Sequence, residues 1–367
     1  MDVCMAFLRV DLEEEIYMHP RQGFFCLLQT GSRYNSPRSK TSWKIVLWLR
    51  KSLHGLKQSR HVWYGTFEDL VISSGFEASH VDGGLFMLHV MDKGTIVAGV
   101  VLYDNNLLLI ANDGLIGQIK DQIKMRFRMH DLGSVSFYLG MNIEPNREHH
   151  TIDIYQHSNI PTILVKFRMD EWTPITTPMA MKIPERKPNE EAGDPIIYQP
   201  MIGSFMYTMA ATRPHITYAI GVLPQYNHVP SNEHMVALSH VFRYLNYMKD
   251  WRVRFRDPLR GALAASILGG GREGTLGCYV NPDYAGCPDD YELTSGLLIT
   301  FGWAVDWRTR NQMSTAQSLT DAEHYALGVG RMILTQISHL LNELGIPTIL
   351  HVCSDSQSQI VSIKNRI

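Results

Sequence analysis

Apolar residues recur every three or four positions over residues 48–75, as they do on one face of an amphipathic helix. They are Leu49, Leu53, Leu56, Val62, Phe67, Leu70 and Val71. Gly75 follows the last of them and is typical of the C-terminus of a helix. The pattern therefore predicts a helix that ends near Gly75.

Three apolar runs rich in β-forming residues come next in the chain. Residues 85–90 and 95–102 flank a polar segment that contains a glycine, which predicts a β-hairpin. A second polar turn, residues 103–106, leads into the third run at residues 107–111, and residues 116–129 form an amphipathic helical pattern. This order predicts a split βαβ arrangement with the second turn at the tip of its central hairpin, where a functional site is expected.

The chain then alternates between linker-like and periodic segments. Residues 174–200 are rich in Pro, Thr, Glu and Lys and predict a linker, whereas residues 202–249 are helical with interruptions at prolines. Residues 257–275 contain five glycines and predict a flexible domain boundary.

The segment after this boundary has the pattern of a small α/β unit. Apolar runs at residues 276–280, 296–307 and 348–353 predict strands, and residues 321–344 predict a helix.

Composition excludes several classes of protein. With 45% hydrophobic and 19% charged residues among 367, the chain is not disordered, collagen-like or a coiled coil. Five scattered cysteines argue against a disulfide framework or a zinc module. The longest apolar stretch, residues 96–102, is too short for a membrane helix, and the N-terminus lacks the pattern of a signal peptide. We therefore expect an intracellular protein, cytoplasmic or nuclear, without a membrane partner.

The net charge of −2 argues against a nucleic-acid-binding protein, but the charge is unevenly distributed. Residues 21–66 contain nine Lys and Arg residues, several aromatic residues and no Asp or Glu. Cations mixed with aromatic faces are typical of a nucleic-acid track. A solvated basic loop and helix would have the same composition, so the pattern alone leaves both interpretations open.

Acidic residues lie at three separate places in the C-terminal unit. Asp283 and its neighbour Asn281 end a predicted strand, Glu323 lies in the first turn of a helix, and Asp355 follows a strand. If they converge, their oxygen atoms could bind a divalent cation. Surface carboxylates at strand ends are common, so these residues alone favour ordinary surface carboxylates over a metal site.

These residues and their flanks resemble a known family. Asn281-Pro-Asp-Tyr-Ala-Gly286 resembles D-A-D-Y-A-G, Thr320-Asp-Ala-Glu323-His-Tyr-Ala-Leu327 resembles T-E-A-E-Y-x-A-L, and Ser354-Asp355-Ser-Gln357 resembles C-D-N-Q-S. All three segments are found in the ribonuclease H domain of copia-type long-terminal-repeat retrotransposon polyproteins.

The N-terminal part resembles the reverse transcriptase of the same polyproteins. Asp2-Val-x-x-Ala-Phe-Leu8 resembles D-V-K-T-A-F-L, and His54-Gly-Leu-Lys57-Gln-Ser59 with Trp63-Tyr64 resembles Y-G-L-K-Q-S-P-R-x-W-Y. Further motifs follow in the order of the family, namely Asp131-Leu-Gly133, Leu139-Gly140, Gly203-Ser204, Thr212-Arg-Pro214 and Tyr218-Ala219. The resemblance covers nearly the whole chain.

The resemblance implies an α+β architecture in four parts. Residues 1–170 would be a reverse-transcriptase palm with truncated fingers, and residues 171–256 a linker with thumb or connection helices. Residues 257–275 would be a Gly-rich linker, and residues 276–367 an α/β ribonuclease H-like domain that is truncated at its C-terminus.

The family implies a two-metal polymerase in which three palm aspartates hold Mg²⁺, with an RNA template or an RNA–DNA hybrid as partner. The chain departs from this pattern at its Y-V-D-D turn, where Tyr103 is followed by Asp104, Asn105 and Asn106. Only Asp2 remains of the palm triad, and an amide supplies no negative charge to balance two divalent cations.

The ribonuclease H pattern is altered in the same way. Asn281 stands at the first aspartate, while Glu323 and Asp355 remain and the family's final carboxylate is absent. The catalytic positions are thus Asp2, Asn105, Asn106, Asn281, Glu323 and Asp355, of which Asp2, Glu323 and Asp355 are candidate metal ligands. Binding of Mg²⁺ by this copy becomes doubtful.

The candidate contacts to nucleic acid are Arg50, Lys51, Lys57 and Trp63, although a residue such as Trp63 more often packs the helix than stacks on a base. Arg60-His61 stands where the family has Pro-Arg. The leading hypothesis is a remnant of an RNA-directed DNA polymerase with ribonuclease H, without catalytic activity. The alternatives are a non-catalytic module that binds RNA or an RNA–DNA hybrid, and a chain that does not fold alone. The oligomeric state stays open.

Overall fold

The protein is represented by a computed structural model that describes residues 1–19, 46–89, 95–179, 192–256, 274–283, 294–312 and 319–354. Its contacts divide the chain into two compact units, residues 1–134 and 135–367. This division differs from the predicted palm boundary at residue 170, because strands within residues 137–155 form a sheet with a strand at 253–256. The predicted α+β class is confirmed.

The described part of the first unit contains two α-helices and short strands whose pairings are all antiparallel. The strands are β1 (Asp2–Val3), β2 (Asp11–Met18), β3 (Leu47–Lys51), β4 (Glu77–Ala78), β5 (Leu85–His89), β6 (Ile96–Tyr103), β7 (Asn106–Ala111) and β8 (Met129–His130), and the helices are α1 (Ser59–Ser73) and α2 (Asp113–Arg126). Six strands form one sheet in the order β4-β5-β6-β7-β1-β8, and β2 pairs with β3. The predicted hairpin β6–β7 lies near the centre of this sheet.

The core of the first unit forms where α1 and α2 cover the sheet. Trp63, Phe67 and Val71 follow each other at four-residue spacing on α1, and all three are buried. Ile119 and Ile123 of α2 complete this apolar layer. Phe67 and Val71 belong to the predicted apolar periodicity and Trp63 does not, so the pattern identifies the buried face of α1 only in part.

The helix predicted over residues 48–75 begins only at Ser59, because residues 47–51 pair with β2 instead. The Ser59 hydroxyl donates to the Leu53 carbonyl at 2.6 Å and closes the turn that precedes α1. The apolar spacing of residues 49–56 fitted a helix, but pairing with a strand more than 30 residues earlier decided the outcome. The glycine-containing hairpin turn lies in residues 90–94, outside the described residues.

The second unit contains two sheets and a helical layer in its described part. Its elements are β9 (Phe137–Tyr138), β10 (Met141–Asn146), β11 (Thr151–Tyr155), α3 (Asn159–Lys166), α4 (Pro195–Thr212), α5 (Thr217–Val222), α6 (Asn232–Tyr247), β12 (Val253–Arg256), β13 (Gly274–Asp283), β14 (Thr294–Phe301), β15 (Trp303–Asn311), α7 (Leu319–Glu343) and β16 (Thr348–Ser354). The sheet orders are β12-β11-β10-β9 and β15-β14-β13-β16. Within the described ranges, no helix is long and apolar enough to span a membrane.

The helices α3 to α6 pack around one apolar core, with Phe205 and Phe242 fully buried at its centre. The predicted linker over residues 174–200 is too long, because α4 already begins at Pro195. Asp194 caps this helix by accepting a hydrogen bond from the Ile196 N–H at 2.8 Å, and a proline at the first helical position suits a helix start. The predicted glycine linker lies mostly in residues 257–273, outside the described residues.

The last sheet joins antiparallel strands β13 to β15 with β16, which runs parallel to β13. A parallel neighbour needs a crossover connection, and α7 supplies it. A β-carbon at Gly330 of this helix would lie 2.8 Å from the Cys278 sulfur, so the helix packs closely on the sheet only with glycine there. The strand predicted over residues 296–307 is in fact two strands, because Gly302 turns the chain with a φ of 71°.

Candidate functional site

The turn between β6 and β7 meets β1 at the centre of the first sheet. Asp2 in β1 pairs with Asn106 in β7, and the Val3 N–H donates to the Asn105 carbonyl at 2.9 Å. Since β1 lies between β7 and β8, its main chain is held from both sides. The structure therefore brings Asp2, Asn105 and Asn106 together, although more than 100 residues separate them along the chain.

An amide–carboxylate hydrogen bond closes this cluster. Asn105 Nδ2 lies 2.5 Å from Asp2 Oδ1, and Asn106 Nδ2 lies 3.5 Å from Asn105 Oδ1. An ionised carboxylate only accepts hydrogen bonds, so the Asn105 amide nitrogen faces Asp2. A hydrogen bond to a charged group contributes about 1.5–3 kcal/mol. The negative charge of Asp2 is thus stabilised by a donor from the protein itself.

Trp63 of α1 contacts the turn between β6 and β7. Its indole N–H donates to the Asp104 carbonyl at 2.6 Å, and its ring packs edge-on against Phe127 with 5.0 Å between the ring centroids. Only 1% of its surface is exposed. Direct contact of Trp63 with nucleic acid, one of the roles considered from the sequence, does not fit this burial, and the residue packs and positions the turn instead.

The basic segment is described only in part, because residues 20–45 lie outside the described residues. The Arg50 guanidinium lies 5.3 Å from the centre of the Trp48 ring, and 54% of the Trp48 surface is exposed. Lys51 is engaged by Asp11, with 3.0 Å between Nζ and Oδ1. Lys57 is exposed, and no hydrogen bond or ion pair to it is found within the described residues. Arg50 and Lys57 are thus the predicted contacts that the fold leaves most accessible.

Asp131, in the Asp131-Leu-Gly133 segment, holds the end of α2 beside β8. Its carboxylate lies 3.0 Å from Lys120 Nζ and 3.2 Å from Lys124 Nζ, and it accepts a hydrogen bond from the Gly133 N–H. The hydrogen bond from Lys120 is the main reason why the pKa of Asp131 is lowered to about 2. Sequence reasoning quoted Asp131 only as part of a motif and did not anticipate this pairing.

The second constellation is spread over two faces of the last sheet. Asn281 is exposed near the end of β13 and lines a cavity of about 750 Å³ together with His215, Tyr279 and Trp307. Its neighbours Cys278 and Val280 belong to the buried cluster that packs against α7, so Asn281 points to the opposite face. Asp355 lies outside the described residues.

Glu323 lies in α7 and is only 7% exposed. Its Oε2 atom has no hydrogen-bond partner within the described residues, and no hydrogen bond links it to Asn281. Gln312 braces the start of the helix by donating to the Ser295 hydroxyl at 2.8 Å and to the Ala322 carbonyl at 2.9 Å. No motif contained Gln312, so the sequence carried no signal for this brace.

Sequence comparison with known proteins shows the family of this chain. Residues 1–181 match the family model described as "Reverse transcriptase (RNA-dependent DNA polymerase)". The Pol polyprotein of transposon TNT 1-94 from Nicotiana tabacum is 32% identical over the whole chain. The chain belongs to the reverse transcriptase family of retrotransposon Pol polyproteins. The Pol polyprotein of transposon RE1 from Arabidopsis thaliana is 31% identical over 94% of the chain.

The chain spans about a quarter of the length of these curated relatives, 26% of the first and 22% of the second. Among solved structures, it is similar to a foamy viral protease–reverse transcriptase in complex with dsDNA, with a TM-score of 0.40 and 10% sequence identity. That similarity covers 86% of this chain and 54% of the viral chain.

The reverse transcriptase family uses divalent metal ions, and the turn residues of this member fit them poorly. Two divalent cations require several anionic oxygen ligands. Asp2 offers one carboxylate, and its Oδ1 atom already accepts the Asn105 amide. The carboxylate of the turn, Asp104, is paired with Arg60. Within the described residues, no group of three His, Cys, Asp or Glu side chains could hold a metal ion.

Proposed function

We propose that this chain is the remnant of an RNA-directed DNA polymerase with ribonuclease H and does not catalyse polymerisation. The observation that carries the proposal is the 2.5 Å hydrogen bond from Asn105 to Asp2. It ties the remaining palm carboxylate to an amide at the position where the family has an aspartate.

Loss of two carboxylates supports the absence of activity on chemical grounds. Polymerisation by the family is an in-line displacement in which divalent cations stabilise the developing charge. Residues that act as one catalytic unit fail together, so losing two ligands removes almost the same activity as losing all three. Asp2 alone is therefore insufficient.

The test is primer extension on a primed RNA template with Mg²⁺ or Mn²⁺. We expect no incorporation by the chain as it stands. A polypeptide carrying Asn105→Asp and Asn106→Asp is the matched comparison, since both changes preserve side-chain size. Nucleotide incorporation by the unmodified chain that disappears on Asp2→Asn would overturn the proposal.

We extend the same proposal to ribonuclease H in the second unit. Glu323 keeps the family's carboxylate, but Asn281 replaces another and points away from the face that packs against α7. We expect no cleavage of an RNA–DNA hybrid in the presence of Mg²⁺. Cleavage that is lost on Glu323→Gln would contradict this part of the proposal.

The second candidate function is non-catalytic binding of RNA or of an RNA–DNA hybrid. The observation that favours it is the exposed contact between the Arg50 guanidinium and the Trp48 ring, together with the separate exposed Lys57. Cations bind phosphates, and exposed aromatic rings stack with unpaired bases. This binding needs no divalent cation, so it can persist after the catalytic site is lost.

Binding is measured by fluorescence anisotropy with a labelled hybrid in EDTA over a series of salt concentrations. We expect the double variant Arg50→Gln/Lys57→Gln to bind more weakly and to lose roughly 1–2 units from the slope of log K against log salt concentration. The control Arg126→Gln/Arg128→Gln removes the same charge from other exposed positions of the first unit. An equal effect of the control, or no binding at low salt, would reject this function.

A further inference from the structure

A side-on ion pair joins α1 to the turn between β6 and β7. Arg60 Nε lies 3.1 Å from Asp104 Oδ1, and Arg60 Nη2 lies 3.4 Å from Asp104 Oδ2. Both nitrogens of one edge of the guanidinium therefore face both oxygens of the carboxylate, which is the arrangement that gives such pairs their directional specificity. The two residues are 44 positions apart in the sequence.

The main chain of Asp104 is held by the same helix. Trp63 follows Arg60 by three residues, so both side chains lie on one side of α1. Its indole N–H donates to the Asp104 carbonyl at 2.6 Å. Asp104 has a φ of 51°, a left-handed conformation that is unfavourable for residues other than glycine but tolerated by aspartate. Two contacts from α1 thus hold the residue that sets the shape of the turn.

We propose that Arg60 is a positioning residue that acts through Asp104 to keep Asn105 against Asp2 without a metal ion. This inference rests on the proposed loss of the metal site. In a site filled by cations, the metal joins the strands that carry its ligands. In this chain an ion pair, an indole hydrogen bond and an amide hydrogen bond connect α1, the turn and β1 in its place.

Both residues of the ion pair depart from the related motif. Arg60 stands where the related motif has proline, and Asp104 stands where it has valine. Neither proline nor valine can form an ion pair, so the contact exists only because both positions differ. The ion pair therefore requires both departures from the motif.

The expected effect is local, because the Arg60 side chain is 78% exposed and an exposed ion pair adds little to global stability. The informative signals are the Trp63 indole N–H and the Asn105 side-chain NH₂ in ¹⁵N NMR spectra of the full chain. Trp63→Phe and Asn105→Ala assign the two signals. Hydrogen exchange of the Trp63 indole measures how firmly the turn is held.

We expect Arg60→Gln and Asp104→Asn each to accelerate exchange of the Trp63 indole at least about threefold and to shift the Asn105 NH₂ signal. The thermal midpoint should fall by less than about 4 °C, because an exposed ion pair adds little to global stability. Arg60→Lys, which keeps the charge but lacks the planar fork, should restore part of the protection. The exchanged pair Arg60→Asp/Asp104→Arg should restore more than either of its single changes.

The matched control is Arg126→Gln, which removes an exposed arginine from the same unit. It should leave both signals unchanged. The proposal is overturned if Arg60→Gln leaves the indole exchange and the Asn105 signal as they are, or if the exchanged pair shows no recovery. Primer extension by the unmodified chain would refute the proposed loss of function without altering these signals, so the two failures can be told apart.

Discussion

Asn105→Asp is the change that most sharply probes the site in the palm turn. It replaces the Asn105 amide, whose Nδ2 atom lies 2.5 Å from Asp2 Oδ1, by a carboxylate of the same size. A donor becomes an acceptor, and a second negative charge enters the site. Without a cation, the two carboxylates must repel each other or share a proton.

The size of the effect follows from two contributions. Loss of the hydrogen bond to a charged group costs about 1.5–3 kcal/mol. Two like charges about 4 Å apart repel by about 1 kcal/mol in water and about 4 kcal/mol at the effective dielectric of a protein surface. Because both side chains are partly exposed, the repulsion lies near its lower value. We expect the variant to lose about 2.5–5 kcal/mol of unfolding free energy at pH 7 without metal.

Urea denaturation, followed by fluorescence and circular dichroism, measures this loss. Asn105→Ala is the matched control, because it removes the same hydrogen bond without adding charge. The deficit of Asn105→Asp should exceed that of the control at pH 7 and shrink towards pH 4, since a protonated carboxyl can donate to its neighbour. For a restored site with a dissociation constant near 1 mM, about 10 mM Mg²⁺ should return about 1.4 kcal/mol to Asn105→Asp and nothing to the control.

The reasoning fails if Asn105→Asp is as stable as the unmodified chain at pH 7 in EDTA. That result would mean that the amide does not stabilise the Asp2 carboxylate. Equal deficits for Asn105→Asp and Asn105→Ala at every pH would likewise exclude the charge repulsion.

Three further predictions concern other parts of the fold. The pKa of Asp131 is lowered to about 2, so its ion pairs stabilise the fold at neutral pH. As the pH falls from about 4 to 2, at most about 2 kcal/mol of unfolding free energy should be lost, and less after screening by solvent. Asp131→Asn should remove this pH dependence of the unfolding free energy. Burial lowers the pKa of His215 to about 4, so up to about 3 kcal/mol of unfolding free energy should be lost as the pH falls from about 6.5 to 4. Urea denaturation of His215→Asn should lack this pH dependence. Trp63→Phe keeps an aromatic ring but leaves a small cavity and a carbonyl without its donor. The lost donor alone should cost about 1–3 kcal/mol of unfolding free energy in urea denaturation, whereas Trp172→Phe at an exposed position should cost little.

Local sequence patterns predicted those strands and helices whose structure depends mainly on residues nearby in the sequence. The strand observed at Leu85–His89 and the helix observed at Asp113–Arg126 lie close to their predicted ranges, since their periodicity matches the face that they bury. The strand at Leu47–Lys51 was missed because its partner β2 is distant in the sequence. Gly302 was missed as a turn because apolar residues continue on both sides of it.

The candidate site was predictable only in part. Resemblance to a motif indicated that Asp2 and the turn belong together, since neither periodicity nor charge relates residues so far apart. The burial of Trp63 depends on how α1 packs, and a basic, aromatic segment is compatible with both a core and a surface position. The pairing of Arg60 with Asp104 requires the three-dimensional structure, because each residue alone reads as an isolated departure from the motif.

Binding of Mn²⁺ to the full chain, measured by electron paramagnetic resonance, tests the central claim most directly. The unmodified chain and Asp2→Asn should bind the same amount of Mn²⁺ at every concentration, because Asp2 is engaged by Asn105, and Asp104, the carboxylate of the turn, is paired with Arg60. The double change Asn105→Asp/Asn106→Asp should add binding that depends on Asp2. Mn²⁺ binding by the unmodified chain that disappears in Asp2→Asn would contradict the account.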